Sequence, residues 1–416
     1  MYSIIYNASN LVTLENDNLK EGPRKGSAMA ELGEIPGGAV VYSAGKIVET
    51  GTSEALLKKY PDPIDLIDAG GRLVMPGFVD CHTHLVYAGN RSSEMLQRLQ
   101  GATYLDILKA GGGINKTVRA TREASSDDLK RLGMNRLDHM LKHGTTTVEI
   151  KSGYGLDEMT EHKILDVIGE LKSSHVIDMV ATYLGAHTVP KDRDRCEYIT
   201  WLKGASLSAF QKKAEFFDIF CEDGAFSKEE SIQLLEAAQS AGFRLKAHAG
   251  QFNDLGLTGV AAKMGAVSVD HLDHIDDHQI DLMAETDCVG VFLPGVPFFL
   301  KTGVFPDMKR FRDRAAAFAI ASDFNPGSCP SFSMPMMVSL AVLHCNATLP
   351  EAICASTLNA AYAMGVGNET GSLKAGKKAD FIVLDIQTLD ELPYYFGTCL
   401  THCVLKNGEV VFQSEI

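Results

Sequence analysis

The middle of the chain alternates between short apolar runs and longer amphipathic segments. The short runs are rich in β-branched and aromatic residues, as buried strands are, while segments such as 158–171 and 228–241 carry apolar residues at helical spacing. Eight short runs are each followed by a helix-like stretch: 78–85, 145–150, 180–187, 216–222, 244–249, 266–272, 288–293 and 316–323. This alternation predicts an α/β fold, a (β/α)8 TIM-like barrel. The alternative is a doubly wound open sheet, which would normally show fewer units and a glycine-rich turn after its first strand.

The two ends of the chain have a different pattern. Short β-rich runs, separated by glycine, aspartate and asparagine turns, occupy both ends: 4–13, 39–48, 66–74, 379–384 and 404–412. The pair Asn407-Gly408 inside the last run is a strong hairpin signal. We therefore predict a small β-sandwich domain built from residues 1–75 and 373–416, and a barrel domain of residues 76–372.

Composition excludes several classes of function. The chain has 39 basic and 53 acidic side chains, a net charge of −14, which argues against a surface for nucleic acids or anionic membranes. No apolar run approaches the ~18 residues of a membrane span, and the first residues lack the basic and apolar segments of a secretory signal. The 9 cysteines include no CxxC pair and are best explained as reduced thiols. We expect a cytoplasmic protein that binds neither nucleic acid nor membrane.

Residues able to do chemistry stand at the ends of the predicted strands. In a (β/α)8 barrel the C-terminal ends of the strands form the active-site face. The residues concerned are His82, His84, Lys151, His187, Glu222, His248, His271 and Asp323.

The spacing of His82 and His84 suggests a metal site. Residues two apart on a strand point to the same side, so both imidazoles would face the barrel interior. An isolated pair of this kind is more often packed or surface histidine. Further histidines and an aspartate at later strand ends change that balance, because a metal ion needs several nitrogen and oxygen ligands from separate elements.

This constellation resembles the amidohydrolase superfamily, whose members join such a barrel to a β-sandwich from both termini. The resemblance implies a metal site formed by His82, His84, His248 and Asp323. His271 would lie beside the metal, where it polarises the scissile carbonyl or steers the attacking water. Binuclear members carry a bridging lysine at the end of strand four, and the run 216–222 has none. We therefore expect one divalent metal ion per subunit, zinc or iron, although such ligands also accept manganese.

Longer motifs resemble one family of this superfamily, the imidazolonepropionases. The motifs are Arg91 within 88–92, and the stretches 111–114, 151–156, 184–187 and 322–328. The similarity extends over essentially the whole chain. It implies hydrolysis of a cyclic amide, 4-imidazolone-5-propanoate, to N-formimidoyl-L-glutamate, the third step of histidine degradation. The implied partners are this small-molecule substrate and a second copy of the chain in a homodimer.

The resemblance also implies a substrate pocket. Arg91 and Tyr154 would bind the propionate arm, since a guanidinium can bind a carboxylate through two hydrogen bonds. The other pocket positions would be His187, Gln251, Asn325, Gly327 and Ser328. Asp323 would take the proton of the attacking water and return it to the leaving nitrogen.

Gln251 departs from part of the family, because some members carry glutamate at this place. We expect Gln251 in the catalytic centre as a hydrogen-bonding group, since an amide cannot titrate. Proton transfer is then left to Asp323 and His271. We leave the roles of Lys151 and Glu222 open.

Two other functions fit parts of the pattern. A mononuclear deaminase acting on a purine or pyrimidine would use the same metal ligands but would need no cation for a carboxylate arm, so Arg91 distinguishes the two. A non-catalytic protein with this barrel would have lost the metal ligands, which are all present here. For Arg91 itself the alternative is a solvated surface charge supported by Glu94, and for Tyr154 and His187 it is a place in the core.

Overall fold

A computed structural model describes residues 1–16, 18–101 and 111–415. The chain begins with seven short strands: β1 (Ser3–Tyr6), β2 (Asn10–Val12), β3 (Glu34–Pro36), β4 (Gly38–Ser43), β5 (Lys46–Thr52), β6 (Leu66–Asp68) and β7 (Leu73–Pro76). Buried aliphatic residues such as Ile4, Val40 and Val74 occupy them, because such side chains fit a pleated surface with a buried face. All seven strands lie in two sheets outside the barrel.

The barrel consists of eight parallel strands. They are β8 (Phe78–Asp80), β9 (Thr145–Lys151), β10 (Asp178–Ala186), β11 (Phe216–Cys221), β12 (Arg244–Ala249), β13 (Ser268–His271), β14 (Val289–Phe292) and β15 (Phe318–Ile320). Neighbours in the sheet are neighbours in the chain from β8 to β15. The first and last strands meet through a bridge between Thr83 and Phe324, where the N–H of His84 donates to the carbonyl of Phe324 at 2.9 Å. The predicted (β/α)8 barrel is confirmed.

Helices follow the barrel strands and cover the sheet. Within the described ranges the α-helices are α1 (Ser53–Lys59), α2 (Ser92–Leu99), α3 (Ile114–Glu123), α4 (Ser126–Lys142), α5 (Glu158–Ser174), α6 (Arg195–Lys203), α7 (Ala205–Phe210), α8 (Lys228–Ser240), α9 (Thr258–Lys263), α10 (Asp277–Ala284), α11 (Gly295–Leu300), α12 (Met308–Asp313), α13 (Met334–His344), α14 (Leu349–Ala355), α15 (Leu358–Ala363) and α16 (Glu391–Tyr394). A 3-10 helix spans Gly26–Ala30. Helix α8 begins at a capping box in which Ser227 and Glu230 satisfy each other's backbone N–H groups.

The small domain uses strands from both ends of the chain. Strands β16 (Phe381–Leu384), β17 (Thr401–Lys406) and β18 (Glu409–Gln413) join β7, β2 and β3 in a six-stranded sheet ordered β18-β17-β16-β7-β2-β3. A second sheet has the order β5-β4-β1-β6. Leu11, Val40 and Phe381 belong to the apolar core of this domain. The predicted two-sheet unit is confirmed, whereas the boundaries at residues 75 and 373 stay predictions.

Two runs that the sequence presents as single strands divide between the sheets. The run 4–13 becomes β1 and β2, and the run 66–74 becomes β6 and β7. The chain turns at Asn7, with φ of 59°, and at Gly70 and Gly71, with φ of 64° and 72°. Left-handed backbone of this kind ends an extended strand. The hairpin predicted at Asn407-Gly408 joins β17 to β18, with both residues at positive φ as a type I′ turn requires.

Several barrel strands are shorter than the apolar runs that predict them. β8 ends at Asp80, before His82 and His84, and β15 ends at Ile320, before Asp323. The backbone of His271 and Asp323 is left-handed, with φ of 85° and 49°. The chain therefore turns at or just beyond the C-terminal ends of the strands, where the side chains of these residues can converge. In the described ranges, every helix is too short or too polar to cross a bilayer.

Candidate active site

Five of the predicted side chains converge at the C-terminal edge of the barrel. The Nε2 atoms of His82 and His84 lie 3.5 and 3.6 Å from the same carboxylate oxygen of Asp323. Ligand atoms of His82, His248 and His271 also lie within 4.8 Å of one another. His82 belongs to both groups, so the cluster has one centre. His271 approaches it as closely as the predicted ligands do.

Two buried aspartates fix the orientation of two of the imidazole rings. Nδ1 of His82 donates to Asp270 at 2.7 Å, and Nδ1 of His248 donates to Asp218 at 3.1 Å. Each ring therefore presents Nε2 as a lone pair to the cluster. These two Nε2 atoms are buried and have no hydrogen-bond partner in the part of the chain that the structure describes. Buried polar atoms without partners are rare, and a carboxylate behind a histidine is the usual support of a metal ligand.

The protonation of the cluster suits metal binding. Burial lowers the pKa of His82, His84 and His271 well below the ordinary histidine value, so their rings are neutral. Burial raises the pKa of Asp323 to about 7, although His248 and a hydrogen bond from Ser328 act in the opposite direction. Neutral imidazole and carboxylate donors fit a divalent ion such as zinc or iron, and the donor set alone does not choose between them.

Asp323 is held by the loop that follows it. The Ser328 hydroxyl donates to the carboxylate of Asp323 at 3.1 Å, and the Asn325 side-chain amide donates to the backbone carbonyl of Asp323 at 2.7 Å. Asn325 Oδ1 accepts the N–H groups of Gly327 and Ser328. Asn325 and Ser328, which the sequence places in the pocket, therefore also shape the loop that carries the aspartate. This support explains how Asp323 keeps a left-handed φ.

Arg91 lies against the same loop. Its Nε donates to Glu94 at 2.8 Å, and the side chain is only 17% exposed. A Cβ atom on residue 327 would come within 2.2 Å of Nη1 of Arg91, so glycine is required there for the guanidinium to approach. The pair with Glu94 is the contact that the surface-charge alternative requires. Burial against Gly327, however, places the Nη groups of Arg91 beside the loop that carries Asp323.

Tyr154 and His187 form an aromatic wall beside the histidines. His187 stacks on His84 with ring centres 5.1 Å apart and planes 18° apart, and Tyr154 lies 5.5 Å from His187. Burial lowers the pKa of His187 to about 3, so the ring is neutral. Its Nδ1 donates to the carbonyl of Gly153 at 3.1 Å. Nε2 of His187 is then left as a hydrogen-bond acceptor.

Buried glutamates hold two of the strand-end loops. Glu161 accepts the N–H groups of Gly153, Gly155 and Leu156, which surround Tyr154. Glu222 accepts the N–H groups of Phe252 and Asn253, which directly follow Gln251. Gln251 itself is half-buried in this loop.

Glu222 thus supports a loop and does not itself enter the cluster. Both of its oxygens are used, since the N–H of Asp223 and the side-chain amide of Asn253 donate to the second one.

Several supporting residues carry no recognisable signal in the sequence. Glu161 and Asp270 act through partners that are distant in the chain or lie on another element. Asp218 has a weak signal, because a charged residue stands there in the middle of the apolar strand β11. Lys151 is fully buried beneath the cluster and does not line the pocket.

Comparison with known proteins agrees with this geometry. The profile of the amidohydrolase family matches residues 73–411. Imidazolonepropionases from Geobacillus kaustophilus and Symbiobacterium thermophilum are each 42% identical, over 97% and 98% of this chain and 96% of their own length. Guanine deaminase from E. coli, 16% identical, has the same fold with a TM-score of 0.70 over the full length of both chains. An adenosine deaminase from Xanthomonas campestris with bound zinc, 18% identical, gives a TM-score of 0.73 over 98% of this chain and 92% of its own.

The two deaminases establish the fold only, whereas the relatives at 42% identity extend over nearly the whole chain. The protein therefore belongs to the amidohydrolase family and, within it, to the imidazolonepropionases.

Proposed function

We propose that the protein hydrolyses the cyclic amide of 4-imidazolone-5-propanoate to give N-formimidoyl-L-glutamate, a step of histidine degradation. The observation that carries this assignment is the loop of residues 325–328. Ser328 contacts the carboxylate of Asp323 in the histidine cluster, and Gly327 lies against the guanidinium of Arg91. The hydrolytic centre and a cation suited to a carboxylate therefore both contact the same short loop.

The cluster would hold one divalent metal ion, zinc or iron, through His82, His84, His248 and Asp323. When bound, such an ion lowers the pKa of a water molecule towards ~7 and polarises a carbonyl group. Among the described residues, neither Glu222 nor Lys151 is free to bind a second ion, because both oxygens of Glu222 accept hydrogen bonds and Lys151 is paired with carboxylates. We expect metal analysis of the purified protein to give one ion per chain, and two ions, both needed for turnover, would overturn this count.

The side chains divide the chemistry between them. The carboxylate of Asp323 takes one proton from the attacking water, and the water oxygen forms the new bond to the ring carbonyl carbon. His271 stabilises the charge that develops on the carbonyl oxygen or orients the water. Asp323 then gives the proton to the ring nitrogen as the carbon–nitrogen bond breaks. The former carbonyl becomes a carboxylic acid of the product, which releases the second proton of the water to give the carboxylate, and Gln251 hydrogen-bonds the ring.

The remaining pocket residues orient the substrate. Arg91 binds the propionate arm with its Nη groups, because Glu94 occupies only Nε. Tyr154 lines the same end of the pocket. Nε2 of His187 accepts a hydrogen bond from the N–H of the imidazolone ring, since Nδ1 is used by Gly153. We also propose a cytoplasmic location and a homodimer, as the family resemblance implies.

The assignment is tested by following the ultraviolet absorbance of freshly generated imidazolonepropionate with metal-loaded enzyme and identifying the product. We expect conversion to formimidoylglutamate, and much slower turnover of the same ring without its propionate arm. Guanine, adenine and cytosine test the deaminase alternative. Release of ammonia from one of these bases, with no loss of imidazolonepropionate, would overturn the assignment.

A further inference from the structure

Lys151 is a buried cation with three acidic partners. Its Nζ lies 2.7 Å from Asp218, 3.0 Å from Glu149 and 3.3 Å from Asp270, and all four side chains are completely buried. An ammonium group has three N–H donors, so each can be directed at one carboxylate. The lysine stands at the end of β9, and its partners come from three strands of the barrel.

Two of these partners support the metal-binding histidines. Asp218 accepts a hydrogen bond from His248, and Asp270 accepts one from His82. Lys151 is therefore linked through one carboxylate to each of two imidazoles that stand on different strands. A displacement of either aspartate would turn the ring that it holds.

The charges beneath the cluster are close to balance. A second buried lysine, Lys246, lies 3.0 Å from Glu149, so three carboxylates face two ammonium groups. Burial disfavours the charged form of Lys151, but Asp218 and Glu149 outweigh burial and raise the pKa of the lysine above its ordinary value. Lys151 is therefore a cation held among these carboxylates.

We propose that Lys151 is a positioning residue, which holds His82 and His248 in their metal-binding orientation through Asp270 and Asp218. The inference rests on the proposed metal site. Without the lysine, two carboxylates close to each other would remain in a dry interior without their cation, and such groups repel each other and draw in water. The imidazoles hydrogen-bonded to them would then lose their common direction.

Lys246 offers a matched control. It is equally buried and shares Glu149, but its Nζ contacts neither Asp218 nor Asp270 within salt-bridge distance. Both Lys151→Met and Lys246→Met remove one buried ammonium group, and both should lower the melting temperature of the metal-free protein. Only Lys151→Met should also weaken metal binding.

The experiment uses metal-free full-length protein and Zn²⁺ alone, with affinity measured by competition against a chromophoric chelator at one pH. Loss of a group that supports metal ligands typically costs 10- to 100-fold in affinity. We expect a loss in this range for Lys151→Met and less than about threefold for Lys246→Met. With Co²⁺ as the probe, Lys151→Met should also change the visible absorption bands, which report ligand geometry. Equal affinities and spectra, or equal losses in both variants, would overturn the inference.

A double variant keeps the test decisive if Lys151→Met does not fold. Lys151→Met with Asp218→Asn restores the balance of charge and should fold. Compared with Asp218→Asn alone, the double variant should still bind Zn²⁺ at least about threefold more weakly, because Asp270 and His82 lose their support. Equal affinity of these two variants would overturn the inference. A wild-type protein that binds no Zn²⁺ would instead contradict the proposed metal site itself.

Discussion

Arg91 shows how one side chain can be both tied to its neighbour and available to a substrate. Its Nε is bound to Glu94, whose other oxygen accepts the N–H of Gly113 at 3.1 Å. The glutamate thus fixes the guanidinium at one edge and connects it to Gly113, which directly precedes helix α3. The opposite edge meets the loop at Gly327, where a side chain would exclude it.

We predict that Arg91→Ala lowers kcat/KM for imidazolonepropionate by roughly 30- to several-thousand-fold. Truncation of one partner in a partly dry charge pair typically costs ~2–5 kcal/mol. Arg91→Lys should recover only part of the loss, since an ammonium group cannot make the two parallel hydrogen bonds. Steady-state kinetics and metal content of both variants check this, and the metal content should stay unchanged. An unchanged KM and melting temperature in Arg91→Ala would remove Arg91 from the substrate site.

Asp323→Asn should abolish most of the activity without unfolding the protein. Asparagine can occupy the same volume and accept the hydrogen bond of Ser328, but it cannot take a proton from water. We expect kcat to fall on the order of 10²-fold or more. Circular dichroism and metal content measured beside kcat separate this effect from lost structure. A folded, metal-loaded variant with the kcat of the wild type would assign the proton transfer to another group.

At the scale of elements, the loops after the strands are held by buried glutamates. Glu222 at the end of β11 fixes the loop after β12 through the N–H groups of Phe252 and Asn253. The position of Gln251, which follows β12, therefore depends on a side chain at the end of the neighbouring strand β11.

We predict that Glu222→Ala lowers kcat/KM by on the order of 10-fold or more, because a displacement of about 1 Å in a positioned group can cost up to ~10²-fold. Glu351→Ala is the control. Glu351 is also buried and accepts a backbone N–H, that of Thr348, but it lies on helix α14, away from the cluster. Both variants should melt at lower temperature, and only Glu222→Ala should change the kinetics at 25 °C. Equal kinetic effects would mean that Glu222 acts through stability alone.

The sequence predicts which strands form better than it predicts the residues at which they end. All eight barrel strands lie within or close to their apolar runs, because β-branched and aromatic residues bury well in a parallel sheet. The run 316–323 extends past the end of its strand to Asp323, where left-handed backbone turns the chain out of the sheet. Periodicity reports burial, and Asp323 is buried although it is no longer in a strand. The ligand cluster is predicted from the resemblance to a family, since residue spacing alone does not show which strand ends lie together.

The supporting contacts could not be predicted from the sequence. The hydrogen bond from His82 to Asp270 joins residues 188 positions apart. Whether two such residues touch depends on the stagger of the strands in the closed barrel, which no local pattern encodes. Glu94 is an exception in part, since its spacing of three from Arg91 on a helix allows the pair to be anticipated.

At the scale of the whole molecule, a cluster of charges connects the barrel to the small domain. Asp178 at the start of β10 lies 2.6 Å from Lys406 of β17 and 2.9 Å from Lys378, which precedes β16. Burial acts to raise the pKa of Asp178, but Lys406 and Lys378 outweigh it, and the pKa lies below the ordinary aspartate value. A carboxylate with a lowered pKa in the folded state stabilises that state at higher pH.

We predict that Asp178→Asn lowers the melting temperature at neutral pH. The stabilisation by Asp178 is complete above the ordinary pKa of an aspartate and is lost as the pH falls through the lowered pKa of the folded state. The difference in melting temperature between wild type and variant should therefore be constant from about pH 7 to 5 and should narrow at lower pH. Calorimetry across this range checks it. A difference that persists unchanged in acid would show that the charge is not responsible.

The pairing of strands from opposite ends of the chain has a consequence for biosynthesis. β7 pairs with β16, more than 300 residues later, and the seam of the barrel closes through hydrogen bonds from Ser322 to Asp80, 242 residues apart. A ribosome that emits about 5–20 residues each second leaves β7 without β16, and the first barrel strand without the last, for many seconds. Exposed strand edges can pair wrongly during that time. We expect fragments that stop before residue 381 to bind chaperones or aggregate, and the small domain to be the last part of the molecule to form.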